Sequence, residues 1–299
     1  MASIDPKSVS TAHFHSILLG AVAPRPIAFA STIDEKGHVN LSPFSFFNAF
    51  SANPPILIFS PARRVRDNST KHTLENMLKV PEVVINIVDY PIVEQMSLAS
   101  TEYGDGVNEF VKAGFTEVAS EKIRPPRVKE SPVSFECKVL EVKPMGDQGG
   151  AGNLVICEVV MAHVKEELLT DDNKLDPTRL ELVARMGGNW YTKADSKSMF
   201  EIPKPLTTMG IGFDQLPKHV RNSEVLTGNN LGRLANVEQL PTKEEVAIMA
   251  KEPEVSAILQ SFADDDVELE KELHLHAQKY LDAGQTHEAW QVILQGEYL

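Results

Sequence analysis

Five runs of strand length, at 27–33, 56–60, 83–88, 133–142 and 154–164, carry apolar or alternating residues through the first two thirds of the chain. Turn-forming clusters separate them: Asp-Glu-Lys-Gly at 34–37, Asn-Pro-Pro at 53–55 and a glycine-rich stretch at 146–152. Strands that follow one another with few helices between them predict an antiparallel barrel rather than an alternating βαβ sheet. Two short helices fit between the strands, at 73–80 and at 91–100, the second with Val93, Met96 and Leu98 on one side.

Beyond residue 206 the pattern changes. The stretch 207–240 is rich in Gly and Asn and reads as irregular. Thr242 and Glu245 then have the spacing of a capping box, which covers the free amides of a first helical turn. Helices are predicted at 243–251, 254–263, 266–283 and 286–295, the third with Leu269, Leu273, Tyr280 and Leu281 as an apolar stripe and Leu275 fitting less well. The chain therefore divides into a β domain, 1–206, and an irregular linker plus helical extension, 207–299.

Charge and composition remove several classes of function. A formal net charge of −13 over 299 residues argues against nucleic acid as a partner. More than half of that excess lies in 264–299, where nine acidic residues face only Lys271 and Lys279, the pattern of a solvated helical face. No run approaches the roughly 18 apolar residues of a membrane span, and the first residues lack a signal-peptide pattern. The only cysteines, Cys137 and Cys157, sit inside strand-like runs and read as buried thiols of a cytoplasmic protein.

Two segments carry chemistry. In the first, Asn40, Ser42, Ser45 and Asn48 are interleaved with Phe44, Phe46 and Phe47. A core strand has no use for those polar groups, whereas a flat aromatic ligand needs apolar faces with a few polar atoms at its rim. In the second, Arg63, Arg64, Arg66, Lys71 and His72 lead into a helix start that carries Ser69, Thr70 and Thr73. Free amides at a helix N-terminus, with hydroxyls and cations beside them, form an anion site. The plainer alternative is that Ser69 or Thr70 caps the helix and the arginines lie in solvent. Taken together, the segments suit a ligand with an aromatic system at one end and phosphate at the other, such as flavin mononucleotide (FMN).

The stretches "RPIAFASTIDEKGHVNLSPFSFFNAFSANPP", "STKHTLEN" followed by "VVINIV", "GVNEFVKAGFT", "PRVKESPVSFECKVLEV" and "LELVARMGGNWY" resemble, in order, those of the flavin reductase-like family over about residues 12 to 203. The resemblance implies a mainly β fold, the FMN-binding split barrel, a Greek-key antiparallel β-barrel that forms a homodimer, here followed by the helical extension. It implies that Ser31 and Thr32 lie near the ribityl–phosphate tail, and that Asn40, Ser42 and Ser45 hydrogen-bond the tail and ring edge. Backbone groups of Phe46, Phe47 and Asn48 would line the ring. Lys71 and Thr73 match the phosphate-binding ends of a Lys-Asp-Thr motif in which His72 replaces the Asp. Arg185, in "RMGGNWY", would lie near the flavin or the partner subunit, and Arg25 also matches a family position.

The resemblance further implies an NADH or NADPH donor and a protein electron acceptor or oxygenase as partner. It names no catalytic side chain, because hydride chemistry belongs to the cofactor. One departure bears on the donor: Asn153 stands where nicotinamide-oxidising relatives carry histidine. That favours the alternative of an electron-transfer protein of the flavoredoxin kind; a separate alternative is a non-catalytic protein that acts through its acidic tail.

Other signals are weaker. His13 and His15 have no acidic or cysteine partner at metal-ligand spacing. His274 and His276 are two apart on a helix and face different directions. No dinucleotide-binding glycine fingerprint and no nucleophile elbow occurs. Asn86, inside a predicted strand, reads as a satisfied core amide, and Trp190 with Tyr191 as packing or a cofactor contact.

Overall fold

The structure, a computed structural model, describes all residues but Asp105 and Leu299. The chain forms two compact units, Met1–Phe200 and Glu201–Leu299.

The first unit is built on one seven-stranded antiparallel sheet. Its strands are β1 (Ala28–Ile33), β2 (Val39–Phe44), β3 (Phe47–Ala52), β4 (Pro55–Phe59), β5 (Glu82–Ile87), and two longer ones. Two-residue strands β6 (Glu117–Val118) and β7 (Arg127–Val128) pair separately, before β8 (Val133–Pro144) and β9 (Asn153–Val164). A final hairpin joins β10 (Leu182–Arg185) to β11 (Tyr191–Ala194). Across the large sheet the order is β2-β1-β5-β8-β9-β4-β3. Its two edge strands, β2 and β3, are consecutive in the chain and joined only by Ser45 and Phe46. So short a link forces the sheet to curl until its edges meet, yet no ladder joins them. The result is an antiparallel barrel split at Ser45–Phe46.

Side-chain alternation divides this unit's core in two. One face of the sheet collects Ala28, Ala30, Phe44, Phe59, Ile85, Cys137 and Cys157 from six strands. Burial holds both thiols protonated, that of Cys157 pushed up to about 12. The other face packs Phe29 and Leu41 against Met96 and Phe110, which belong to helices α3 (Val93–Leu98) and α4 (Glu109–Ala113). Two helices precede them in the chain. Helix α1 (Thr11–Ala21), capped by Ser10, has no fully buried residue, and the amphipathic α2 (His72–Lys79) buries Thr73, Leu74 and Met77. Asn86 is the satisfied core amide expected: it donates to Phe29 O (2.9 Å) and accepts from Val128 N (3.0 Å) and Ser134 Oγ (2.7 Å).

The second unit is helical. Short helices α5 (Lys218–Arg221) and α6 (Gly228–Ala235) occupy part of the stretch read as irregular, α6 being opened by a Thr227–Asn230 capping box. Helix α6 contains Gly228, Asn229, Asn230 and Gly232, all poor helix formers, which is why composition alone pointed to a linker. Then follow α7 (Lys243–Met249), α8 (Pro253–Ser261), α9 (Asp266–Asp282), α10 (Thr286–Ile293) and α11 (Gln295–Tyr298), with the Thr242–Glu245 capping box in place at α7. Leu273 and Leu281 of the stripe pack around fully buried Trp290, whose Nε1 donates to Leu234 O at 3.1 Å, while Leu275 faces outward. His274 and His276 meet different neighbours, Ser223 for the first and Tyr280 for the second.

Candidate functional site

Register on β1 and β2 sets which polar residues share a face. Ala28 pairs with Phe44, Ala30 with Ser42 and Thr32 with Asn40. These cross-strand pairs point to one side, so the apolar face that begins at Ala28 and Phe44 turns polar toward Ser42, Thr32 and Asn40. Helix α2 lies over that polar end. Asn40 Nδ2 donates to Thr73 Oγ1 at 2.8 Å, and Asn76 Nδ2 donates to Thr32 Oγ1 at 3.2 Å.

The segment before α2 forms a folded loop stapled by its own arginines. Arg63 donates from Nε to Asn68 Oδ1 (2.7 Å) and from its Nη2 to Asn68 O (2.8 Å). Asn68 takes the left-handed φ of 59° that Asn tolerates better than most residues. Arg64 donates to Ser69 Oγ (2.9 Å) and to Thr70 O. The glycine-rich turn between β8 and β9 supports this loop from outside: Arg63 N donates to Ala151 O, and Gly150 N to Arg63 O. A Cβ at Gly149 would lie 3.0 Å from Val65 O and 3.1 Å from Arg64 O, so glycine lets the turn approach the backbone of this loop closely.

Arg63 and Arg64 are therefore not in solvent, unlike Arg66. Nor do Ser69 and Thr70 cap the helix. They bond instead to Asp67 and Glu75, and the N-cap position falls to Lys71, with no side-chain cap at all. The amides of His72 and Thr73, which line the pocket, are thus left without a side-chain cap, while Leu74 N donates to Lys71 O at 2.9 Å. That pocket is lined by Asn40, Ser42, Arg64, Lys71, Thr73 and Glu102, among others. Lys71 is held below its ordinary pKa, first by burial and then by repulsion from Arg64, with Glu102 acting in the opposite direction. Glu109 also lines the pocket. Its carboxylate accepts from Leu41 N at 3.0 Å, and burial raises its pKa.

Of the residues singled out in the sequence, Asn40, Ser42, Lys71 and Thr73 meet in this one pocket, with Thr32 beside them. Ser45, Phe46, Phe47 and Asn48 continue from the end of β2 into β3. At about 3.3 Å per residue, Asn40 to Ser45 spans roughly 16 Å, the scale of a ribityl phosphate carrying a tricyclic ring. Phe46 is 39% exposed, and its ring lies edge-on to His15 of α1, 6.2 Å between centroids. Ser31 pairs with Leu41 and so points to the opposite face, where its buried Oγ has no partner. Arg185 does not line the pocket. It reaches Tyr191 Oη and Gly188 O, both at 2.8 Å, beside buried Arg25, which binds Met186 O. Trp190, at the tip of the same hairpin, is 77% exposed.

Sequence reasoning missed the acidic wall. Glu102 and Glu109 are unremarkable as letters, and only folding sets them opposite Lys71. Arg64 was signalled by its cluster, without any indication that it would face inward while Arg66 would not.

A curled antiparallel sheet, split beside a cation-lined, helix-capped pocket, defines a split-barrel protein. Comparison with known proteins agrees: residues 20–179 match the family described as flavin reductase like domain. The chain belongs to that family. An uncharacterized protein of Aquifex aeolicus is 37% identical over 180 residues, covering 60% of this chain and 89% of that relative. Nitrilotriacetate monooxygenase component B from Bacillus cereus superposes with a TM-score of 0.63 at 30% identity, covering 68% of this chain and 98% of its own. A protein with a split barrel domain from Shewanella frigidimarina gives a TM-score of 0.56 at 25% identity, covering 66% and 95%. Membership in this family supports a flavin cofactor and a flavin-related oxidoreductase function.

Proposed function

We propose that the protein binds FMN between β2 and the start of α2, and is a cytoplasmic, homodimeric oxidoreductase that takes electrons from NADH or NADPH and passes them to a protein acceptor. The observation that carries this reading is the meeting of Asn40, Ser42, Lys71 and Thr73 in one pocket, on a strand that runs on to Ser45–Asn48.

The donor set fits the group. Arg64 and Lys71 would neutralise a phosphate dianion, while Thr73 Oγ1, Asn40 Nδ2 and the uncapped amides of His72 and Thr73 would hydrogen-bond its oxygens. Ser42 and Thr32 would meet the ribityl chain, and the backbone of Phe46, Phe47 and Asn48 the ring edge. When bound, FMN supplies the two-electron chemistry that these side chains lack. Edge strand β3 is exposed along nearly its whole length, with Phe50 64% exposed, and this supports a partner subunit there. The likeness to a protein described as one component of a monooxygenase supports a second protein as electron acceptor.

A visible spectrum after addition of FMN, followed by anaerobic mixing with NADH and NADPH, tests both halves. Flavin bound and bleached by either donor is the expected result. Failure to bind FMN ends the reading. Binding without bleaching favours the alternative of an electron-transfer protein reduced only by a partner. Asn153 supports that alternative: it is buried and committed to Pro61 O (2.9 Å), with no imidazole in its place.

A further inference from the structure

Glu102 belongs to the connection between α3 and α4 and faces the cation side of the pocket from the opposite wall. Its Oε1 lies 2.8 Å from Arg64 Nε and 3.9 Å from Lys71 Nζ, and its Oε2 lies 3.2 Å from Arg66 Nη2. One carboxylate is thus shared by three cations from the segment that reads as the phosphate cradle. We propose that Glu102 is a built-in competitor for that cradle. Its carboxylate holds the position beside Arg64 and Lys71 that a ligand's phosphate takes, and phosphate binds by displacing it. The inference rests on the assignment of this pocket to a phosphorylated flavin, and makes Glu102 the residue that sets how strongly such a flavin is preferred over an unphosphorylated one.

Charge and tethering support displacement. With Glu102 in place, an arriving dianion meets a carboxylate at close range. With Glu102 swung away, the same dianion meets Arg64 and Lys71 in the pocket, with the exposed Arg66 outside its lining. The Glu102 side chain is 43% exposed and free to turn into solvent. Arg64 does not follow it, because Ser69 Oγ and Thr70 O hold the guanidinium independently. Arg66 likewise keeps Asp67 Oδ2 at 3.1 Å. The cradle therefore keeps its shape while its internal anion leaves. The phosphate adds less to affinity than the cations alone would provide, because part of its gain is spent breaking the Glu102 contacts.

The test is a comparison of FMN with riboflavin, which shares the ring and ribityl chain but has no phosphate. Each is titrated into the full chain and into Glu102→Gln, reading flavin fluorescence. Glu102→Gln is expected to tighten FMN by roughly tenfold, the scale of a small network of partly exposed ion pairs, and to leave riboflavin unchanged. If the unaltered chain binds FMN but Glu102→Gln binds it equally or more weakly, the competitor role is overturned while the flavin site stands. If the unaltered chain binds no FMN, both fall. Should Glu102→Gln fail to fold by circular dichroism, Glu102→Asp, whose carboxylate is withdrawn by one methylene, is read for the same FMN-to-riboflavin ratio, with a rise expected and no change counting against the proposal.

Discussion

Asn40 and Thr73 lie 33 residues apart in the chain and share a 2.8 Å hydrogen bond between Asn40 Nδ2 and Thr73 Oγ1. That contact joins the strand leading to Ser45–Asn48 with the helix start beside the cation loop. It is the point at which two separately readable stretches become one site.

Lys71 supplies charge at that point. Lys71→Met, similar in length and uncharged, is expected to weaken FMN binding about tenfold to a hundredfold, the range for a charge-assisted contact, with riboflavin binding unaffected. Equal weakening of both ligands would show that Lys71 supports the fold rather than the phosphate.

Asn86 ties three elements together from inside the sheet. Asn86→Leu leaves Val128 N without its acceptor and is expected to cost about 2–4 kcal/mol of stability, read as a lower urea midpoint for the first unit. A change below 1 kcal/mol would mean that the network re-forms without the amide.

Glu109 is buried, and its pKa is raised, first by that burial. Its folded pKa therefore lies above the unfolded value, so its contribution is complete at acid pH and is lost as pH rises through the folded pKa. Glu109→Gln keeps an acceptor for Leu41 N and removes the ionisation. It is expected to flatten the fall in stability of the first unit as pH rises through and above the ordinary carboxylate range. An unchanged slope, measured by thermal unfolding across that range, would contradict this.

His274 runs the other way. It is buried, stacked on His219 at 5.7 Å between centroids and bonded to Ser223 Oγ at 2.9 Å through Nδ1. Burial, with His219 adding to it, pushes its pKa down to about 4. The unfolded chain takes up a proton first, near the ordinary value of 6.5, so stability is full above that pH and falls as pH drops from 6.5 toward 4. The helical unit is expected to lose about 3 kcal/mol over that interval. Trp290, fully buried in the same unit, reports it: in a Trp190→Phe background, urea midpoints by fluorescence should drop with pH. His274→Gln should remove most of the slope, and a slope kept by that variant would place the titration elsewhere.

Much of the architecture follows from local pattern. Apolar runs and turn residues located the strands of the large sheet that start at Ala28, Pro55, Glu82, Val133 and Asn153, and the Thr242–Glu245 capping box located α7. These depend on neighbours in the chain, where alternation and capping act directly. Helix α1 was missed because it buries no residue fully and so shows no stripe, and α6 because its capping box uses Asn230 rather than Glu or Gln.

The chain alone determined the types of group available: aromatic and amide residues around Pro43, cations before α2 and buried thiols in strands. Only the tertiary structure decided which of them meet. Ser31 and Thr32 are adjacent letters, yet the strand pleat sends them to opposite faces, so one lies under α2 and the other in a separate core. Arg64 and Arg66 are two residues apart, yet only Arg64 is drawn inward, by Ser69 and Thr70. Glu102 came to face Lys71 through a chain reversal after α3 that no local spacing encodes. Site geometry is set by contacts between residues distant in sequence, and periodicity carries no information about those.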